Sequence, residues 1–209
     1  MKRLKKGLLI AVEGIDGSGK SVLCTHLKDR LSNYDLVVTK EPGGTMLGKG
    51  LRETLLAKDV PVCQKAEFLL FATDRAQHFA QVITPALEAG KIVISDRMAD
   101  SSLVYQGYGR NLDISVINTV NNWAMNGTQP DLVFYLKITA QEAYKRMRNR
   151  NIPFNSFEKE IAFMHKLTDG FDQLVAPRAN VVTLDAMAET EQVADQAITA
   201  LNKLIEQYT

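Results

Sequence analysis

Apolar residues along this chain follow two patterns: short continuous runs, and longer segments in which they recur every three or four positions. The short runs predict strands, because a strand buried on both faces of a parallel sheet has no polar side. The longer segments predict helices with one apolar face. The predicted strands are residues 8–12, 36–39, 91–95, 132–138 and 180–184. The predicted helices are residues 19–31, 66–89, 114–125, 140–150, 157–175 and 189–208.

The order of these elements predicts the fold class. Short apolar strands that alternate with helices are typical of an α/β protein whose parallel sheet is covered on both faces. Pro85 is expected to interrupt the helix 66–89, since proline has no N–H to donate, and Thr139 is expected to cap the helix 140–150. No linker, repeat or low-complexity tract divides the 209 residues, so we predict one domain, residues 1–209.

Composition and charge narrow the choice of ligands. The chain has 25 lysines and arginines against 24 aspartates and glutamates, so no overall field attracts long nucleic acid or an anionic membrane. Any anionic ligand must be held by a local site. The apolar run after the basic start is too short for a signal peptide, and no stretch is long enough for a membrane span. The cysteines, Cys24 and Cys63, are expected to be packing residues in a reducing compartment, so we expect a cytoplasmic protein.

The segment between the first predicted strand and helix reads GIDGSGKS and fits the phosphate-loop pattern G-x-x-x-x-G-K-[ST] in its required context. Glycines let backbone N–H groups turn inward around phosphate oxygens, and the helix N-terminus adds partial positive charge. Lys20 is predicted to reach the β- and γ-phosphates, and Ser21 to bind Mg²⁺. The alternative is a glycine-rich turn without a ligand. The predicted ATP-binding residues are Gly14, Ile15, Asp16, Gly17, Ser18, Gly19, Lys20 and Ser21.

Three further segments occur at or soon after the ends of predicted strands: EPGGT at 41–45, DR at 96–97 and SSLVYQG at 101–107. Together with the phosphate loop they resemble the bacterial thymidylate kinases, from residue 8 to about residue 171. The resemblance implies the nucleoside-monophosphate kinase fold, a P-loop NTPase-type five-stranded parallel sheet flanked by helices, with a short mobile lid at about 146–158. It implies the reaction ATP + dTMP → ADP + dTDP with Mg²⁺, for dTTP synthesis, usually in a homodimer.

The resemblance also assigns residues to the phosphate end of the acceptor. Arg97 resembles the arginine that clamps the acceptor phosphate, which a guanidinium can do bidentately. Arg52 resembles a second phosphate contact, with a surface helix arginine as the alternative. Asp16 matches the family acid near the sugar 3′-hydroxyl and 5′-phosphate. Glu41 resembles an acid that faces the acceptor, with a turn-capping charge as the alternative.

Recognition of the base is expected from the helical stretch 68–79. Phe71 is predicted to stack on the pyrimidine ring, and Arg75, four residues later on the same face, to donate to O4 of thymine. A phenylalanine at this spacing is otherwise a common core residue. The other predicted acceptor residues are Ser102 and Gln106 at the base edge, Tyr105 beside the sugar 2′ position, and Phe171 closing the pocket.

Asp96, at the end of an apolar strand, is predicted to orient Mg²⁺ with Ser21. A helix cap or a salt bridge to Arg97 is the alternative for this carboxylate. An arginine that arrives with the lid would stabilise the transferring phosphoryl group, and Arg148 and Arg150 are the candidates.

Three positions depart from the family pattern: Ser156 stands where a lid arginine is expected, Gly17 replaces a loop arginine, and Met98 replaces an aromatic or histidine. Two other functions remain open from the sequence. A deoxynucleoside kinase would phosphorylate a neutral nucleoside, and a regulatory module would bind nucleotide without turnover.

Overall fold

The computed structural model describes residues 2, 4–57, 59–149 and 161–208. Five parallel strands form one sheet in the order β2-β3-β1-β4-β5. The strands are β1 Leu8–Glu13, β2 Leu36–Lys40, β3 Ile92–Asp96, β4 Leu132–Lys137 and β5 Val181–Asp185. Each predicted strand is confirmed to within one residue at either end. The α/β fold class with a five-stranded parallel sheet is confirmed with them.

The α-helices of the described residues cover both faces of this sheet. They are α1 Lys20–Arg30, α2 Met46–Leu56, α3 Gln64–His78, α4 Thr84–Glu88, α5 Ala99–Ser102, α6 Ile114–Ala124, α7 Ala140–Asn149, α8 Ile161–Val175 and α9 Thr190–Ile205. Two π-helical segments, Phe79–Ile83 and Leu103–Gly109, extend α3 and α5. No helix in the described part of the chain combines the length and apolar character needed to cross a membrane.

Strand β1 shows why the central strands are continuous apolar runs. Its side chains alternate between the two faces of the sheet. Leu8, Ile10 and Val12 pack in the larger core under α1, α8 and α9, whereas Leu9 and Ala11 join a second core with α4 and the π-segment before it. Every residue of β1 is buried. The edge strands β2 and β5 are only partly buried, because helices cover them less completely.

The predicted helix 66–89 is interrupted, as its proline indicated. It consists of α3, the π-segment Phe79–Ile83 and α4, with Pro85 in the first turn of α4. Proline has no N–H for the preceding turn, and the helix passes into wider π-helical hydrogen bonding just before it. Thr139 caps α7 as predicted, since its Oγ1 accepts from Glu142 N at 3.3 Å.

Two expectations for individual residues are wrong: Cys63 is not a packing residue, and Phe171 does not close the pocket. Cys24 is buried in the core, but Cys63 is exposed at the start of α3. Phe171 lies in the core, stacked on Tyr135 with ring centroids 5.3 Å apart, and does not line the cavity that holds the other predicted acceptor residues. The predicted lid at 146–158 lies largely outside the described residues; its first residues end α7.

Candidate active site

The phosphate loop, residues 14–21, joins β1 to α1 at the carboxyl edge of the sheet. Gly14, Gly17 and Gly19 have φ values of 143°, 85° and 98°, which residues with a Cβ rarely adopt. The Lys20 side chain folds back over the loop and donates to the Ile15 carbonyl at 2.9 Å. Burial lowers the pKa of this ammonium, and Arg97 adds to the effect, while nearby carboxylates oppose it. The loop therefore presents a cation and a helix N-terminus together.

Gly17 is constrained by a neighbouring helix as well as by its φ angle. A Cβ at this position would lie 2.5 Å from the carbonyl oxygen of Ala143 in α7. Any side chain would collide with that backbone unless α7 moved. The glycine that departs from the family pattern thus has a structural reason in this chain, where α7 lies directly against the loop.

Ser21 and Asp96 meet where α1 begins and β3 ends. The Ser21 hydroxyl donates to Asp96 Oδ2 at 2.5 Å. This hydrogen bond places Asp96 beside the loop serine, which is the arrangement that a shared metal site requires. Two adjacent oxygens suit a hard divalent cation. Across the part of the chain that the structure describes, no group of three or more His, Cys, Asp or Glu side chains could hold a metal.

Arg97 stands directly beyond β3 in a left-handed conformation, with φ of 75°. Its Nη1 donates to the Gly14 carbonyl at 3.2 Å and to Ser101 Oγ at 3.0 Å. Its Nη2 forms a hydrogen-bonded ion pair with Asp16, and its guanidinium lies 5.1 Å from the ring centroid of Tyr105. Arg97 thereby joins the phosphate loop to the cavity behind it.

Tyr105, in the π-segment after α5, also binds Asp16, the ion-pair partner of Arg97. Its hydroxyl donates to Asp16 Oδ2 at 2.9 Å and accepts from Asp16 N at 3.1 Å. Burial raises the pKa of Tyr105, so that the phenol stays neutral at physiological pH. The hydroxyl fixes Asp16 from both its backbone and its side chain.

One cavity, of about 680 Å³ including its open mouth, collects every acceptor residue predicted in the sequence except Phe171. We call it the acceptor cavity. Its apolar wall consists of Pro42, Leu55, Leu56, Phe71 and Met98. Its polar lining consists of Asp16, Glu41, Arg52, Arg75, Arg97, Ser101, Ser102, Tyr105 and Gln106. The segments that carry these residues are far apart in sequence, and the fold brings them together.

Arg75 is the centre of a buried network on the far side of this cavity. Its Nε donates to Glu41 Oε2 at 2.9 Å, and the side chains of both residues are almost fully buried. Nη1 donates to Ser102 Oγ at 3.2 Å and Asn121 Oδ1 at 2.6 Å. Nη2 donates to the Met98 carbonyl at 3.0 Å and lies 2.9 Å from Glu41 Oε2. These protein acceptors use the hydrogen-bonding capacity of the guanidinium.

Glu41 is held from two sides. Besides Arg75, it contacts His78 Nδ1 through Oε1 at 3.0 Å. Burial alone would raise the pKa of Glu41, but Arg75 and His78 bring it below its ordinary value. Glu41 lines the acceptor cavity, and the partners of its carboxylate are Arg75 and His78 on α3 rather than the N–H groups of a turn. Sequence reasoning missed His78, although its spacing places it on the same helix face as Phe71 and Arg75.

Two further predicted acceptor residues, Arg52 and Gln106, are each held by a side-chain hydrogen bond. Arg52 Nη1 donates to the Pro42 carbonyl at 3.2 Å. Gln106 Nε2 donates to Glu67 Oε1 at 2.9 Å, and Phe71 is half-buried on α3.

Arg148 is exposed near the end of α7, and Arg150 lies outside the described residues. Proximity to the phosphate loop is thus shown for Arg97 and not for the lid arginines.

Comparisons with known proteins agree on one family. A family model described as thymidylate kinase matches residues 12–197. A thymidylate kinase of Halothermothrix orenii is 44% identical over 194 residues, which cover 90% of this chain and 93% of that protein. One of Exiguobacterium sp. is 40% identical over 92% of each chain. The crystal structure of thymidylate kinase from Ehrlichia chaffeensis superposes with a TM-score of 0.77 at 31% identity, covering 94% of this chain and 99% of that one.

A parallel sheet whose first strand leads through a G-x-x-x-x-G-K-S loop into a helix defines a P-loop NTPase fold, and the acceptor cavity lies beside that loop. The family match extends over most of the chain, as do the similar proteins. The chain belongs to the thymidylate kinase family. It is accordingly a nucleoside monophosphate kinase.

Proposed function

We propose that this protein transfers the γ-phosphoryl group of ATP to dTMP, with Mg²⁺, and so supplies dTDP for dTTP synthesis. The observation that carries the proposal is the Arg97–Asp16 pair, which belongs both to the edge of the phosphate loop and to the acceptor cavity. Phosphoryl transfer depends chiefly on placing two oxygens in line and neutralising their charge. A shared cation at the junction of two sites serves both requirements.

The acceptor cavity suits a phosphorylated pyrimidine deoxynucleoside. Arg97 and Arg52 line it together, and two guanidinium groups would be superfluous for a neutral 5′-hydroxyl. Phe71 offers a ring face for the base. The resemblance assigns Tyr105 to the sugar 2′ position, and its hydrogen bond to Asp16 would hold that carboxylate towards a 3′-hydroxyl. These contacts favour dTMP over thymidine as the substrate.

Recognition of thymine requires one exchange of partners at Arg75. The N–H groups of Arg75 are already occupied by protein acceptors. One of these hydrogen bonds must therefore break before Arg75 can donate to O4 of thymine. The bond to Ser102 is the longest of these, at 3.2 Å, and Ser102 also lines the cavity. Ser102 would then turn its hydroxyl to the base edge, with Gln106 beside it. This arrangement keeps the prediction that Arg75 binds O4.

ATP would occupy the phosphate loop and a second cavity of about 670 Å³ beside it. That cavity is bordered by Ser18 of the phosphate loop, Val22 on α1, Arg146 on α7 and Thr190 at the start of α9, and the adenine base would lie there. Ser21 and Asp96 would hold Mg²⁺, whose preference for water and phosphate oxygens as most of its ligands suits a site with two protein oxygens. Bound there, Mg²⁺ neutralises charge on the β- and γ-phosphates.

We further propose that residues 1–209 form one catalytic domain whose lid, about 146–158, brings Arg148 or Arg150 to the transferring group. The phosphate loop has no arginine of its own, because Gly17 faces the Ala143 carbonyl. Single-turnover measurements on Arg148→Ala and Arg150→Ala test the lid. We expect at least one variant to lose about a hundredfold in chemical rate. Full rates in both variants would contradict a catalytic lid arginine.

The proposal includes a homodimer in the cytoplasm. Three apolar side chains on the neighbouring helices α3 and α6 are more than half exposed: Leu69, Val116 and Trp123. A second copy of the chain could cover this apolar surface. Trp123 is the single tryptophan of the chain. Light scattering after size exclusion should give twice the mass of the chain. The Trp123 emission should shift to the red on dilution if the dimer dissociates.

A coupled assay of ADP release tests the reaction. The purified protein with MgATP is given dTMP, thymidine or no acceptor. We expect ADP release that depends on dTMP, with no turnover of thymidine. Turnover of thymidine alone would identify a deoxynucleoside kinase instead. Binding of both nucleotides without ADP release would identify a regulatory module.

A further inference from the structure

Glu13 is a buried carboxylate to which the reaction described so far gives no part. It ends β1 after five apolar residues and is 0% exposed. Burial, reinforced by the nearby Asp100 carboxylate, raises the pKa of Glu13 to about 7. A buried carboxylate keeps its charge only where hydrogen bonds or opposite charges compensate for its lost hydration. The partners of Glu13 therefore indicate what it does.

One carboxylate oxygen holds the backbone that follows Arg97. Oε1 accepts from the N–H of Met98 at 2.7 Å and from that of Ser101 at 3.3 Å. Arg97 itself has φ of 75°, a left-handed conformation that is strained for a residue with a side chain. The two bonds compensate that strain and hold the turn from which the Arg97 side chain leaves.

The other oxygen acts on the Arg97 side chain through a hydroxyl. Oε2 accepts the proton of Ser101 Oγ at 2.6 Å. Ser101 Oγ in turn accepts from Arg97 Nη1 at 3.0 Å. Because a hydroxyl has a single proton, giving it to Glu13 leaves its lone pairs for the guanidinium. A directed chain of hydrogen bonds thus runs from the core, through Ser101, to the acceptor cavity.

We propose that Glu13 is a positioning residue that aims the Arg97 guanidinium at the acceptor phosphate, through the Ser101 hydroxyl and the turn at Met98. The inference rests on the proposed function, in which Arg97 clamps that phosphate. A guanidinium turned out of place loses bidentate contact with a phosphate. It leaves Phe71 and the base side of the cavity unchanged. A disturbance limited to the Ser101 link, which leaves the Met98 turn in place, is therefore specific for the phosphate end of the ligand.

Two variants interrupt the chain at different links. In Glu13→Gln the side-chain carbonyl can still accept from the backbone, but the amide offers a proton to Ser101 instead of taking one. Ser101→Ala removes the intermediate hydroxyl. Matched controls are Glu88→Gln on α4 and Ser32→Ala in the turn after α1, both at exposed residues. The readouts are the Kd of dTMP and of thymidine by calorimetry, and KM and kcat for dTMP, at about pH 8, where Glu13 is mostly ionised.

We expect the preference for dTMP, measured as the Kd of thymidine divided by the Kd of dTMP, to fall about tenfold in both variants. A change of this size corresponds to one misplaced charge-assisted hydrogen bond. The KM for dTMP should rise, while the Kd of thymidine stays within about twofold of the unaltered protein, because its contacts lie at the base. Equal weakening of both ligands would overturn the inference, and so would an unchanged preference. If Glu13→Gln does not fold, Ser101→Ala decides by itself.

Arg97→Ala, measured alongside, separates the inference from the function on which it rests. If this variant keeps the full preference for dTMP, Arg97 is not the phosphate clamp and the proposed function loses its acceptor site. If Arg97→Ala loses the preference while Glu13→Gln and Ser101→Ala keep it, the clamp stands and only the positioning role fails.

Discussion

The phosphate loop and the acceptor cavity meet at Arg97 and Asp16, yet they are built in different ways. The loop consists of consecutive residues, and its shape depends on φ angles that glycine adopts without strain. The cavity collects side chains from distant segments, and buried charges hold its far wall. One site is thus specified by local backbone conformation and the other by packing. Loss of the loop lysine should therefore lower catalysis, whereas loss of the buried network of the cavity should lower stability.

Loss of the loop cation should have the largest effect and should leave the cavity unchanged. We expect Lys20→Ala to lower kcat about a thousandfold, since the proposed role of the ammonium is to neutralise the phosphates during transfer. The Kd of dTMP should remain within about twofold, because Lys20 does not line the acceptor cavity. Lys28→Ala, exposed on the same helix, is the control. If dTMP binding falls together with kcat, the two sites are not separable.

Arg75→Met should show that the cavity depends on its buried network for stability. The substitution leaves Glu41 buried beside His78 alone, and breaking a buried ion pair costs about 3–5 kcal/mol of unfolding free energy. Arg30→Met breaks ion pairs at the surface and should scarcely change the Tm. Chemical denaturation measures both.

Adding Glu41→Gln to Arg75→Met sharpens this test, because it removes the unpaired charge. The double variant should be more stable than Arg75→Met, although it carries one more substitution. A double variant less stable than either single one would mean that packing, and not charge, holds the wall.

Substitutions of two loop glycines should separate backbone strain from contact with α7. Gly19→Ala introduces strain alone, about 1–2 kcal/mol, since a Cβ there meets nothing within 4 Å. Gly17→Ala adds a collision with the Ala143 carbonyl and should cost more. Urea denaturation compares the two variants. Equal losses would show that α7 yields easily, and the structural reason given for Gly17 would then be wrong.

The smallest effect concerns a single methyl group in the cavity. dUMP lacks the 5-methyl group of dTMP, and one buried methyl group changes kcat/KM by about tenfold. The apolar wall with Leu55 and Met98 offers a surface for that group. Steady-state kinetics with both nucleotides provide the measurement. Equal kcat/KM values would mean that the wall does not contact position 5.

Much of the fold could be predicted because its elements have local causes. Continuous apolar runs marked every strand, and Pro85 marked the predicted helix that is interrupted by a π-segment, which ends just before it. The helical segment from Ala99 to Gly109 had no assignment before the structure. Its residues were noticed only as a family segment, since small and polar side chains interrupt any clear apolar periodicity there.

The candidate site divides in the same way. Glycine and lysine spacing identified the loop, and resemblance identified most of the cavity lining. His78, Asn121 and Glu13 were missed because their roles arise from contacts across the fold: His78 with Glu41, Asn121 with Arg75 and Glu13 with Met98, in each case 37 or more residues apart in sequence. Phe171 was placed in the pocket by resemblance, whereas the structure stacks it on Tyr135. A core position and a pocket position look alike on a helix until the neighbouring elements are known.

By itself, the sequence determined the alternation of strands and helices, the phosphate loop and the family, because each depends on residues that are close in the chain or on a pattern of residue types. Only the tertiary structure decided that Arg97 joins loop to cavity, that Glu41 and Arg75 neutralise each other inside the protein, and that α7 requires glycine at position 17. Hydrogen bonds and ion pairs act over a few ångströms, so their partners become known only when the folded chain brings distant segments into contact.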